Sequence, residues 1–280
     1  MRDRFLIQGV VAGFLFSSSP LLIRFLPRLD AFSIGFYRLF LAGLIMAGVG
    51  ILLGWRIWSV SWRETALGTL FGAHFAAFIL SVKHTTVMNA SVIVNTTPAF
   101  TALISWAIFG LRPSMRSIAG IILGVLGIIM LFSEGLRISG GFLGEAEALA
   151  GALFWAAYLN LGRVVRIRTG NLQSIPSIYL LSSIFLLALT LPGGGPMNPS
   201  IPEFLILLAM AIIPTCLGHT LHFSSLKGLR PYQTSALALL EPVTASILAV
   251  PLFNEIPTPI SMMGAAIILA SIYIVASSER

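Results

Sequence analysis

Charge is what this chain has least of. Of its 280 residues, 10 are acidic and 17 are basic, whereas soluble domains carry about 25% charged residues. With 57% hydrophobic residues and a mean hydropathy of +0.95, most of the chain is expected to be solvated by lipid. A single cysteine, Cys216, excludes an intramolecular disulfide and, lying in an apolar stretch, says nothing about redox compartment. No Walker A lysine motif or Gly-rich phosphate loop is present, which argues against ATP-driven work by this chain alone. Neither a serine elbow, an HExxH helix nor a paired-carboxylate spacing points to intramembrane catalysis, and no repeated filter sequence points to an ion channel. The net charge of +7 would suit nucleic acid. Its basic residues, however, sit in short connections between apolar runs, where they act as topology signals. The expected macromolecular partner is therefore the lipid bilayer and not nucleic acid.

Ten apolar stretches approach the roughly 20 residues that a membrane span needs. They cover about 5–25, 32–54, 65–82, 88–110, 115–133, 145–164, 173–191, 203–224, 232–253 and 258–277. The first has no small-residue cleavage site before the second and reads as a retained helix rather than a signal peptide. With the N-terminus in the cytoplasm, the inner connections hold Arg2, Arg4, Arg56, Arg63, Arg112, Arg116, Arg163, Arg166, Arg168, Lys227, Arg230 and Arg280. The outer side keeps Arg24, Arg28, Arg38, Lys83 and Arg137. That bias places both termini inside. Trp55, Trp58 and Trp62 fit an aromatic cluster at the inner face.

One stretch, Thr234–Glu255, carries a lone carboxylate, Glu241, with Pro242 directly after it. Laid without gaps on Ala90–Leu111 it aligns Pro242 with Pro98, Phe253 with Phe109 and Ser235 with Ser91, an offset of 144 residues. The register continues through Lys83 and Lys227, Pro113 and Pro257, Ser117 and Ser261, and Gly120 and Gly264. Glu241 itself meets Thr97. At the start of each copy, GFLF (13–16) answers GALF (151–154). The sequence therefore reads as a duplication, 1–138 and 139–280, of five helices each. An odd number of crossings per copy inverts the second relative to the first, and inverted repeats around a midplane site are the architecture of secondary transporters. Gly9 and Gly13, Gly68 and Gly72, and Gly120 and Gly124 are spaced for close helix packing.

Three pieces carry a resemblance: SIGFYRLFLAG around Arg38, GALFWAAYLNLGR (Gly151–Arg163), and LEPVTASILAVPLFNEIPTPISMMGAAIILASIYIV (Leu240–Val275). With the repeat, they are similar to the ten-helix EamA-type exporters of the drug/metabolite transporter superfamily, over nearly the whole chain. The resemblance implies a 5+5 inverted fold and a central cavity lined by the first, third, fourth, sixth, eighth and ninth helices. It also implies export of small metabolites, frequently amino acids, driven by an ion gradient. Where the family often has an acidic residue after the fourth helix, this chain has Leu111; Glu255 fills the equivalent place in the second copy.

Several side chains are costly at membrane depth. Glu241, on a stripe with Thr234, Leu237, Ala238, Thr244 and Ala245, either titrates or binds an ammonium, or else mends the turn that Pro242 breaks. His74, His219 and His222 fit cavity lining, a proton relay or hydrogen-bonded packing. A metal site would need further ligands that no fixed spacing supplies. Asn95 has donors and acceptors to satisfy in hydrocarbon, which favours cavity lining, whereas Thr96 and Thr97 can back-bond to the turn disturbed by Pro98. Trp155 and Tyr158 form an aromatic wall or pack between helices. Arg38 pairs with a substrate carboxylate or snorkels to the outer surface.

The resulting expectation is an all-α membrane protein of the bacterial inner-membrane type. It exports small metabolites, foremost neutral or aromatic amino acids, by alternating access. Arg38, His74, Asn95, Trp155, Tyr158, His219, His222 and Glu241 would bind substrate, with Glu241, His74 and His222 as proton-coupling candidates and Pro98 and Pro242 as hinges. No cofactor, metal or enzymatic activity is expected, and nothing in the sequence specifies an oligomeric state. The alternatives are an uptake carrier, a passive channel and, more distantly, a membrane enzyme acting on lipid-linked substrates.

Overall fold

A computed structural model describes residues 2–55, 61–136, 142–169 and 172–279. Arg56, Trp58, Arg137 and Arg280, used above to orient the chain, lie outside the described residues. Among the described residues ten apolar helices follow one another: α1 (Arg2–Ile23), α2 (Ala31–Leu52), α3 (Trp62–His84), α4 (Val87–Ala107), α5 (Met115–Leu131), α6 (Leu143–Arg168), α7 (Ile175–Gly193), α8 (Ile201–Ser225), α9 (Pro231–Phe253) and α10 (Pro259–Ser277). Nine are long and apolar enough to cross a membrane. The exception, α5, has 17 residues, about 26 Å of helix. Among the described residues there is no β-strand.

The helix starts are written in the sequence. Asp30 accepts from Ser33 N (3.0 Å), Thr86 from Asn89 N (3.1 Å), Ser114 from Ser117 N (3.2 Å) and Thr258 from Ser261 N (3.3 Å). Each side chain satisfies a backbone donor that the first turn leaves unpaired. The expected end of α6 at 164 is too early. The helix continues through Arg163, Arg166 and Arg168, which are therefore not in a connection. Arg163 instead donates to Leu226 O (2.9 Å) and Leu229 O, fastening α6 to the turn before α9.

Four helices are interrupted, and each interruption has a local cause. In α1 the break falls at Ser17, where Ser17 and Ser18 donate to Phe14 O and Leu15 O. In α4 it falls at Asn95–Thr96, ahead of Pro98. Pro98 cannot donate to Val94 O, and Thr97 Oγ1 takes that carbonyl at 2.6 Å. In α9 it falls at Ala238–Leu239, ahead of Pro242. There the freed Ala238 O accepts from the Glu241 backbone N–H at 2.9 Å, so the Glu241 side chain does not mend the turn. The fourth helix, α8, adopts π-helical register over Ala211–His219, around Pro214.

The most extensive helix contacts join α3 to α6, α5 to α10 and α2 to α7. Glycines permit the closest of these. A Cβ on Gly264 would lie 2.5 Å from Leu131 N and 2.7 Å from Gly127 O, both backbone atoms that cannot step aside. Gly264→Ala is expected to force α5 and α10 apart and cost about 1–3 kcal/mol, read as a lower unfolding temperature in detergent. An unchanged transition would mean the seam is looser than its contacts imply. Gly13 likewise faces Leu237 O of α9, and Gly68 faces Leu181 of α7.

One end of the bundle is tied by ion pairs. Arg24 meets Glu255 at 2.6 Å and covers the Phe253 ring, while Arg28 grips Glu203 through two nitrogens at 3.0 and 2.5 Å. His84 meets Glu147 at 2.7 Å. The opposite end has one ion pair among the described residues, Arg230 with Glu279 at 3.3 Å, and relies more on backbone acceptors. Arg2 donates to Ala276 O and Ser278 O, Arg230 to Arg112 O at 2.9 Å, and Gln233 to Val275 O and Ser278 O.

Candidate functional site

The interior is a cluster of rings gathered around one guanidinium. From α6, Trp155 and Tyr158 stack with centroids 4.9 Å apart and planes 7° from parallel. From α3, Phe71 stacks on Tyr158 at 5.0 Å and His74 on Trp155 at 5.1 Å. From α8, His222 lies parallel to Trp155 at 5.7 Å and His219 meets it edge-on at 5.6 Å. Phe16 of α1 closes over His219 at 4.5 Å. Five of the residues singled out from sequence, His74, Trp155, Tyr158, His219 and His222, thus meet in one place.

The sixth is Arg38 of α2. It is 5% exposed, so it does not snorkel to the outer surface. Its Nε donates to Thr215 Oγ1 at 2.7 Å, Nη1 to Ser19 Oγ at 2.8 Å, and Nη2 lies 3.2 Å from His219 Nε2. The guanidinium also lies over the Phe75 ring at 5.2 Å. All three hydrogen-bond partners are uncharged as arranged. A guanidinium can only donate, so His219 Nε2 accepts and its proton resides on Nδ1. That Nδ1 is buried and has no hydrogen-bond partner.

The π register of α8 builds this arrangement. It turns Thr215 and His219, four residues apart, onto the same guanidinium, and such insertions recur at functional sites. Thr215 Oγ1 donates back to Met210 O at 2.9 Å, and Tyr179 of α7 donates to Thr215 O at 3.1 Å. The other two histidines are pinned by carbonyls. His74 Nδ1 donates to Gly151 O and His222 Nε2 to Thr234 O, each at 2.9 Å. This leaves His222 Nδ1 buried without a partner.

Glu241 is partly exposed and makes neither a hydrogen bond nor an ion pair through its carboxylate among the described residues. It and Arg38 act on each other electrostatically without being in ion-pair contact. The expected stripe on α9 does not persist: Pro231–Leu237 is buried on every face, and the break at Ala238–Leu239 interrupts the helical phase before Glu241. Asn95 stays apart from the rings in its hydrogen bonding, since its amide donates to Ser91 O at 2.8 Å. Asn160 is a structural tie: it accepts from Ser105 Oγ at 2.7 Å and donates to Thr101 O and Ala156 O. Among the described residues, no three His, Cys, Asp or Glu side chains are grouped to hold a metal ion.

Sequence reasoning misses Phe16, Phe71, Phe75, Ser19 and Tyr179. Phenylalanines on apolar helices look the same whether they face lipid or a site. Thr215 is legible in the sequence only as a neighbour of the histidines.

The model of the EamA-like transporter family matches the chain over residues 4–133 and again over 142–277. The chain belongs to that family. This EamA-like protein, with its apolar helices, is an integral multi-pass membrane protein and a transporter of the drug/metabolite transporter superfamily. It is 24% identical over 270 residues to an uncharacterized transporter of Archaeoglobus fulgidus, covering 91% of each chain. It is also 24% identical to the uncharacterized inner membrane transporter YedA of Escherichia coli, over 85% of this chain and 79% of that one. A probable amino-acid metabolite efflux pump of Escherichia coli is 25% identical over 66% of each chain. A solved crystal structure superposes with a TM-score of 0.86 at 18% identity, covering 98% of this chain and 96% of the other, a likeness of fold.

Proposed function

We propose that this EamA-like protein is a secondary-active carrier that exports small metabolites, foremost neutral or aromatic amino acids, by alternating access, and that it is not an enzyme. One observation carries the reading. The buried ring cluster draws Arg38, Phe71 and His74 from residues 1–138 and Trp155, Tyr158, His219 and His222 from residues 139–280, so any rocking of one half against the other must remake it. The name given to the efflux pump of Escherichia coli supports the amino-acid class.

An inverted 5+5 arrangement fits the helix pairing. Exchanging each helix for the one five places away carries α2–α7 and α5–α10 into themselves and α3–α6 into α8–α1, all contacts that the bundle contains. On this reading both termini are cytoplasmic, the membrane is a bacterial inner membrane as for YedA, and the ion-paired end around Arg24 and Arg28 is the outer one. Pro98 and Pro242 mark the breaks at which α4 and α9 would flex.

The test is counterflow in proteoliposomes preloaded with unlabelled amino acids and probed with one labelled amino acid at a time. A saturable, transient accumulation of label is expected. Flux that neither saturates nor overshoots would instead indicate a channel, and the absence of amino-acid exchange by a folded carrier would remove that substrate class.

A further inference from the structure

Resting on the amino-acid reading, we propose that Arg38 and Glu241 are the two poles of a receptor for a zwitterion. The guanidinium receives the carboxylate, Glu241 receives the ammonium, and the ring cluster around Trp155 receives the side chain.

A guanidinium has five N–H donors. Three are engaged, by Thr215, Ser19 and His219, leaving two unassigned on a buried cation. Two parallel N–H bonds are what a carboxylate takes from arginine. His219 supplies a further donor, since Nε2 faces the guanidinium and Nδ1–H has no acceptor. Of the other two histidines, His74 is bonded to Gly151 O and His222 to Thr234 O, which leaves His222 Nδ1, like His219 Nδ1, without a partner.

Glu241 is the complementary pole. Its backbone N–H mends the α9 break, which leaves the carboxylate with no structural duty. Opposite charges at membrane depth ordinarily pair with each other, because an unpaired one is costly. Here no Arg38–Glu241 ion pair forms, although each carries unused hydrogen-bonding capacity. An anion alone would compensate Arg38 and leave Glu241 bare, and an amine alone would do the reverse. A ligand carrying both signs answers both. The rings of Trp155, Tyr158, His74 and His222 already stack on one another, and a flat or apolar substituent would join or replace one of those stacking contacts.

The experiment is competition against counterflow of labelled L-phenylalanine and of labelled L-leucine in proteoliposomes. The competitors are each parent, its decarboxylated amine (phenethylamine, isoamylamine) and its deaminated acid (3-phenylpropionate, 4-methylpentanoate). In the unmodified carrier, amine and acid are each expected to compete about tenfold or more weakly than the parent, since each lacks one charge-assisted contact. Arg38→Gln should erase the preference over the amine and keep that over the acid; Glu241→Gln should do the opposite. If either analogue competes as well as its parent, or if both substitutions lower both preferences alike, the receptor is wrong while amino-acid transport stands. If neither amino acid exchanges in a carrier that remains folded, both this proposal and the amino-acid reading fall. The competition in the unmodified carrier decides the matter even if a variant does not fold.

Discussion

Replacing Arg38 by methionine is expected to give a carrier about as heat-stable as the parent but with an apparent affinity for its substrate roughly a hundredfold or more weaker. The stability side follows from opposing terms. Removing the guanidinium forfeits its bonds to Thr215, Ser19 and His219, each worth about 1.5–3 kcal/mol when the donor is charged. It also removes a buried cation whose desolvation costs several kcal/mol and which has no carboxylate in contact. Two of the acceptors are hydroxyls that can rotate, and Thr215 keeps its bond to Met210 O. The terms nearly cancel, and the unfolding temperature should stay within about 5 °C. The transport side has no such compensation. If Arg38 receives the substrate carboxylate as proposed, two lost charge-assisted bonds amount to about 3–6 kcal/mol, or roughly a hundredfold or more in apparent affinity. Counterflow and a melting curve on the same preparation test this together. A variant that transports normally would remove Arg38 from the site, and one that fails to fold would make it a structural strut.

Glu241→Gln should separate exchange from accumulation. At saturating substrate the variant is expected to exchange label across the vesicle membrane, because exchange requires no net proton movement. It should not drive label uphill when a pH difference is imposed. On the proposed reading one carboxylate serves two ligands: a proton and an ammonium compete for the same oxygens, so each leaves as the other arrives. Glutamine keeps the size and a hydrogen-bonding tip but neither titrates nor carries charge. The apparent affinity for an amino acid should also weaken by about tenfold. Full pH-driven accumulation by Glu241→Gln would sink the coupling role.

Much of this is legible in the sequence, and the failures have physical causes. The helices can be read because a span's length and apolarity are local properties. The histidines, Trp155, Tyr158 and Arg38 stand out because polar or amphipathic side chains are conspicuous in an apolar background, and they do meet. What cannot be read is phase. A regular wheel advances about 100° per residue, and the π segment at Ala211–His219 and the break at Ala238–Leu239 both upset that count. The stripe expected on α9 therefore dissolves, and the joint aim of Thr215 and His219 at Arg38 is invisible. Helix ends are blurred where arginines belong to the helix itself, as Arg163 does, because a charge that reaches a carbonyl is as much at home there as in water.

The stacking around Trp155 also makes the site luminous. Of the five tryptophans in the chain, Trp62 and Trp106 are 66% and 51% exposed, whereas Trp155 is 7% exposed and is sandwiched among imidazoles and a phenol. Trp155 is then the indole whose emission answers to these rings, whereas Trp62 and Trp106 respond to lipid and water. Filling or emptying the cluster would change the brightness of Trp155, so with Trp55, Trp58, Trp62 and Trp106 replaced by phenylalanine a fluorimeter could follow occupancy with no label, no membrane gradient and no assumption about which molecule is bound.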